Sequence, residues 1–178
     1  MRDQLHETPD MILNPYRFGA GGGPTLEGDV YIQGGVNSGT NYNGVTLLLK
    51  KDAEAQFTRE IILGFSGVNS SNWELTITPN ATKVFSQTIS VFATSGTMDE
   101  TTYDWDASVL ESWTSYKTGF VITDPIAGVS VMIPITGFTP AGGNLLIRLQ
   151  VTSQTTTEAG VYASNTNATY PEASLVLV

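Results

Sequence analysis

Apolar residues in this chain recur at every second position, and that alternation runs through most of its length. Trp73, Leu75 and Ile77 alternate with Glu74, Thr76 and Thr78, and Ile89 and Val91 with Thr88 and Ser90. Val129, Val131, Ile133 and Ile135 share one face, with Ser130 and Thr136 on the other. Leu145, Ile147, Leu149 and Val151 stand against Asn144, Arg148, Gln150 and Thr152. A period of two puts neighbouring side chains on opposite faces of an extended strand. Each segment therefore has one face for a core and one for water. Trp73, in phase with Leu75 and Ile77, is expected inside. No window of a dozen residues carries helical spacing, although Ala107 to Trp113 has room for one helical turn.

The strand candidates are 29–33, 45–51, 58–65, 72–78, 83–94, 103–106, 118–124, 129–136, 144–152 and 160–163, with a closing strand near 173–178. Gly, Asn, Asp and Pro clusters separate most of them, as tight turns require. Many short strands without helices imply an all-β fold of two packed sheets, a jelly-roll β-sandwich of about ten strands. Pro134 has no N–H for a ladder, which predicts an edge strand or a bulge there.

Residues 1–27 follow a different rule. Pro9, Pro15, Gly19, Gly21, Gly22, Gly23 and Pro24 interrupt any regular element. Between them stand Met11, Ile12, Leu13, Tyr16 and Phe18, apolar residues with no partner nearby in sequence. The division expected is an extended N-terminal arm, 1–27, and one sandwich domain, 28–178, with the arm's apolar residues docking on another subunit.

Composition removes several function classes. Net charge is −9 with only 8 Lys and Arg, so a nucleic-acid backbone is repelled and no such partner is expected. Cysteine is absent, which excludes disulfides, thiolate nucleophiles and Cys-based zinc sites. His6 is the sole histidine, so a Ser-His-Asp triad inside the domain is excluded. No apolar run approaches the roughly 18 residues of a membrane helix, and no membrane insertion is expected. Met1 to Glu7 has no apolar signal core; the expectation is a processed form, or export by assembly into a particle.

Asn41-Tyr42-Asn43-Gly44, the apolar strand Leu47-Leu48-Leu49 with Lys50-Lys51, and Thr58-Arg59-Glu60-Ile61-Ile62-Leu63-Gly64-Phe65 follow one another in an order that resembles the family 96 carbohydrate-binding modules, also called DNRLRE domains. The likeness continues through Asp29-Val30-Tyr31-Ile32, Asp99 to Trp105, Ile133 to Phe138 with Leu145 to Leu149, and Val161-Tyr162-Ala163-Ser164. It departs at Thr97-Met98, where the family often carries a tryptophan, and the aromatic at Trp105 is shifted. The resemblance implies a jelly roll that binds acidic polysaccharide, with Lys50, Lys51, Arg59 and Arg148 at positions suited to uronate carboxylates. Asn14-Pro15-Tyr16-Arg17-Phe18-Gly19 and the glycines after it look like the leader of tailed-phage virion proteins.

A sugar site needs flat aromatics beside planar polar groups. Tyr31, Tyr42, Trp105, Trp113, Tyr116 and Tyr162 are candidates, and the set expected is Tyr42, Lys50, Lys51 and Arg59. Arg59 and Glu60 are expected to form a structural pair. Asp99, Glu100, Asp104 and Asp106 form the densest acidic group. Its plainest reading is a solvated loop; Asp99, Asp104 and Asp106 also suit calcium, whose ligands are hard oxygens. A hydrolytic pair is disfavoured, because no acid there sits in an apolar context that would keep it protonated. No cofactor beyond calcium is expected.

The function expected is therefore non-catalytic: a structural virion protein, a capsid decoration or tail component, on a carbohydrate-binding-module-like sandwich. Its partners would be other virion or capsid subunits, copies of itself, and polysaccharide. The alternative is a secreted, free carbohydrate-binding module for acidic polysaccharide.

Overall fold

A computed structural model describes residues 23–178. The arm residues Met11, Ile12, Leu13, Tyr16 and Phe18 lie outside the described residues. Among the described residues the fold is all-β, with antiparallel sheets and one short α-helix. Its elements are β1 (Thr25–Gln33), β2 (Thr46–Leu49), β3 (Arg59–Ser66), β4 (Asn72–Ile77), β5 (Ser86–Ser95), α1 (Trp105–Leu110), β6 (Thr114–Thr123), β7 (Val131–Thr136), β8 (Leu145–Gln154), β9 (Gly160–Ala163) and β10 (Ser174–Leu177). A five-stranded sheet has the order β1-β3-β8-β5-β6, a three-stranded sheet β10-β4-β7, and a ribbon pairs β2 with β9. Ala163 N–H donates to the Thr78 carbonyl at 2.8 Å and Asn80 N–H to that of Val161 at 3.0 Å. These bonds tie the ribbon to the chain leaving β4.

One large core joins all three sheets. Ile61, Leu63 and Phe65 of β3 and Leu145, Ile147, Leu149 and Val151 of β8 meet Trp73, Leu75 and Ile77 of β4, Ile133 and Ile135 of β7, and Leu47 and Leu49 of β2. The alternate residues seen in the sequence supply this layer, as face-to-face sheets require. At about 25 cal/mol per Å² of apolar surface removed from water, this burial is the main favourable contribution to the fold. Trp73 is buried as expected. Pro134 sits in β7, an edge strand, where a missing N–H is tolerated.

The opposite face of the five-stranded sheet is covered too. Val30, Ile32, Ile62 and Leu146 pack with Tyr103 into a second, smaller core, flanked by Met98, Trp105, Ala107 and Trp113. This explains why β3 is buried from Glu60 through Phe65 without alternation.

The strand expected at 103–106 is not formed. Asp104 accepts a hydrogen bond from Ala107 N–H at 2.9 Å and caps α1, which starts at Trp105. Aromatic and acidic residues do alternate over Tyr103 to Asp106, but an Asp whose carboxylate can take an N–H three residues on favours a helix start. The helical turn expected from Ala107 is real, and begins two residues earlier.

Candidate functional site

The sugar-site candidates fall into two groups. Tyr42 is brought to β1 by a bridge: Tyr31 N–H donates to the Tyr42 carbonyl, and the two rings stack with centroids 4.6 Å apart and planes 16° from parallel. Beside the pair is an open hollow of about 340 Å³, lined by Tyr31, Asn41, Tyr42, Asn43, Gly44, Val45, Thr46 and Leu48. Asn41 is anchored from behind, its Nδ2 donating to the carbonyls of Glu100 at 2.9 Å and Tyr103 at 2.6 Å. The loop carrying Tyr42 is thus held by side-chain bonds to the 100–103 turn.

A row of polar side chains continues from this aromatic shelf. Gln33 stands across from Arg59 in the β1–β3 ladder, and Arg59 pairs through its backbone with Lys50. Opposed residues share a face of the sheet, so Tyr31, Gln33, Arg59 and Lys50 line one side. Each polar head has a local partner. Arg59 Nε donates to Gln33 Oε1 at 3.2 Å, and Lys50 Nζ lies 2.6 Å from Asp52. The Lys50 hydrogen bond holds the Asp52 carboxyl below its ordinary range. Burial pushes the Tyr31 hydroxyl upward, with Arg59 opposing and Tyr42 adding to the shift. Gln33 carries no motif in the sequence; only its place opposite Arg59 marks it.

Lys51 belongs elsewhere. Its Nζ donates to the Thr152 carbonyl at 2.6 Å, beside a separate hollow lined by residues of 51–53 and 152–157. The other aromatics are also committed: Tyr162 is buried in the core and Tyr116 packs on Phe138.

Arg59 and Glu60 do not form the expected pair. As neighbours in a strand they point to opposite faces, and Glu60 takes Arg148 instead. Glu60 is fully buried; its Oε2 accepts from Arg148 Nε at 2.5 Å and its Oε1 from Gln150 Nε2 at 2.6 Å. The Arg148 guanidinium sits 5.8 Å from the Phe92 ring, 5.9 Å from Trp105 and 5.8 Å from Trp113. An arginine held by a carboxylate and three rings is a structural clamp, which places Arg148, Trp105 and Trp113 together and apart from Tyr42.

The acidic stretch is placed as separate functions. Asp99 accepts from Thr101 N–H at 2.9 Å and Thr101 Oγ1 at 2.6 Å, and those bonds, the hydroxyl's first, hold it below the ordinary carboxylate range. Asp104 caps α1, and Asp106 accepts from Ser38 Oγ at 3.2 Å. Among the described residues no three Asp, Glu or His side chains converge as a metal cluster.

No protein-family model matches the chain, and no curated protein matches it.

Proposed function

We propose that this chain is a non-catalytic glycan-contacting module on a jelly-roll-type β-sandwich, serving as a structural virion protein. The observation that carries the glycan half is the stacked Tyr31–Tyr42 pair beside an open, amide-lined hollow. Sugar rings present C–H faces to aromatic rings and hydroxyls to planar amides, and Asn41, Asn43 and Thr46 border that hollow. Because Lys50 and Arg59 already have partners, neutral glycans suit the shelf better than uronates.

The virion half rests on the leader-like segment before the sandwich and on the edge sheet. Exposed Met132 of β7 and Val176 of β10 leave apolar area on the β10-β4-β7 layer for a neighbouring subunit. The non-catalytic reading is supported by the acids. The described carboxylate pushed up toward neutrality, Asp29 at about 7, is fully buried and cannot touch a polymer.

Titration calorimetry with neutral and uronate oligosaccharides tests the site. Neutral sugars should bind, and Tyr42→Ala should weaken them at least tenfold with the fold retained. Tyr42→Ala binding as well as the parent would sink the shelf as the site. For the assembly half, deleting residues 1–25 should abolish self-association in sedimentation while the domain stays folded; unchanged association rejects it.

A further inference from the structure

Asp29, in edge strand β1, is completely buried. Its Oδ2 accepts from Asn165 N–H at 2.7 Å, while its Oδ1 has no partner among the described residues. The Asn165 side chain has the same defect. Its Nδ2 donates to Glu100 Oε2 at 2.6 Å, and its Oδ1 is buried without a partner. Flipping that amide would aim an oxygen at a carboxylate, so the bond to Glu100 fixes which atom is left over.

Glu100 comes close because residue 28 is glycine. A Cβ at Gly28 would stand 3.0 Å from both Cβ and Oε2 of Glu100, and the β1–β3 register shifts between Leu26 and Gly28. Two carboxylates and an amide oxygen are thus gathered from β1, the 100–103 turn and the loop after β9. Among the described residues, the charges acting on Asp29 are those of Glu100 and Glu172, both negative. Burying a carboxylate without a counter-charge is among the costliest arrangements in a protein. Something must neutralise it. A proton on Asp29 would neutralise that carboxyl and could be shared with one further acceptor, but it would leave the Glu100 charge beside it uncompensated; a cation would serve Asp29 Oδ1, Asn165 Oδ1 and Glu100 together.

We propose that Asp29 Oδ1, Asn165 Oδ1 and the Glu100 carboxylate form a site for a single calcium ion. All three are hard oxygen donors of the types calcium prefers, in an irregular arrangement that calcium accepts and magnesium, which demands near-octahedral geometry, does not. Glu100 is only half-buried, which leaves an entry path and room for water ligands. The site is separate from Asp99, Asp104 and Asp106. The ion would pin the turn whose carbonyls hold Asn41, and so stiffen the loop that carries Tyr42.

The test uses the full chain stripped with EDTA, at pH 8. Calcium chloride at millimolar concentration should raise the melting temperature by about 5 °C or more, with a one-site binding isotherm in calorimetry. Equal magnesium should give less than half the shift. Glu100→Gln and Asp29→Asn should each remove most of the calcium response. Glu100→Gln is the safer variant, because its side chain is partly exposed and an amide preserves its shape. No binding heat and identical melting in calcium and EDTA would overturn the proposal, leaving Asp29 protonated instead. A calcium shift that survives undiminished in Glu100→Gln would overturn the placement of the site.

Discussion

Glu60 and Asp29 are equally hidden from solvent, yet their surroundings are opposite. Glu60 has both oxygens occupied, one by a guanidinium and one by an amide, and the guanidinium is itself enclosed by three aromatic rings. Among the described residues Asp29 has one N–H, one unpartnered oxygen and only negative charges acting on it. Burial alone therefore does not say what an acid is for. The first arrangement is closed and can only be structural. The second is incomplete without a proton or an ion, and an incomplete site is where a ligand is to be sought.

The sharpest way to break the contrast is to make Glu60 resemble Asp29. Arg148→Ala leaves a buried carboxylate with no counter-charge, a change that typically costs about 3–5 kcal/mol. Urea unfolding should show a loss of that size, and Glu60→Gln combined with Arg148→Met should recover much of it. A loss below about 1 kcal/mol would mean that the clamp contributes little.

The converse experiment relieves Asp29. Its folded-state pKa is raised from 3.8 to about 7, chiefly by desolvation. A carboxyl whose pKa is higher folded than unfolded holds its extra proton between those values. Its contribution to stability is complete below about pH 4, falls as pH rises toward 7, and is level above that. In EDTA, Asp29→Asn should lack this decline. It should match the parent near pH 4 and exceed it near pH 8 by on the order of 2–4 kcal/mol, read as the difference between two urea series. Parallel pH profiles would contradict the assigned burial cost.

A third carboxylate sits between these extremes. Asp104 is half-buried and caps α1 through Ala107 N–H, and Asp104→Ala should cost about 1 kcal/mol. Because α1 presents Trp105 to Arg148, the substitution should also shift tryptophan fluorescence. At the far end, Asp99 is exposed in its own turn, and Asp99→Asn should leave the unfolding midpoint unchanged.

Much of the scaffold was legible before the structure. Local alternation told which side of β4, β7 and β8 faces inward and placed Trp73 in the core, and the missing N–H of Pro134 pointed to an edge strand or a bulge, of which the structure shows the edge strand. The one strand misread, 103–106, has a period-two pattern only four residues long, too short to outweigh a single capping bond. Of the expected sugar residues, Tyr42, Arg59 and Lys50 do gather on one side, while Lys51 turns away to Thr152. Lys50 is bridged to Arg59 just past the end of β2, and Lys51 after it leaves the ladder, so the two lie on different parts of the surface.

Strand phase, turn positions and the exclusion of thiol chemistry follow from the sequence directly, because each depends on local backbone geometry or on residue type alone. The pairing of Glu60 with Arg148 spans 88 residues and that of Asp29 with Asn165 spans 136. Such partners are chosen by which strands lie side by side and which loops fold over an edge. An acidic residue in a strand looks the same in the sequence whether a cation faces it or not, and only the assembled sheets separate a satisfied carboxylate from one that still lacks its partner.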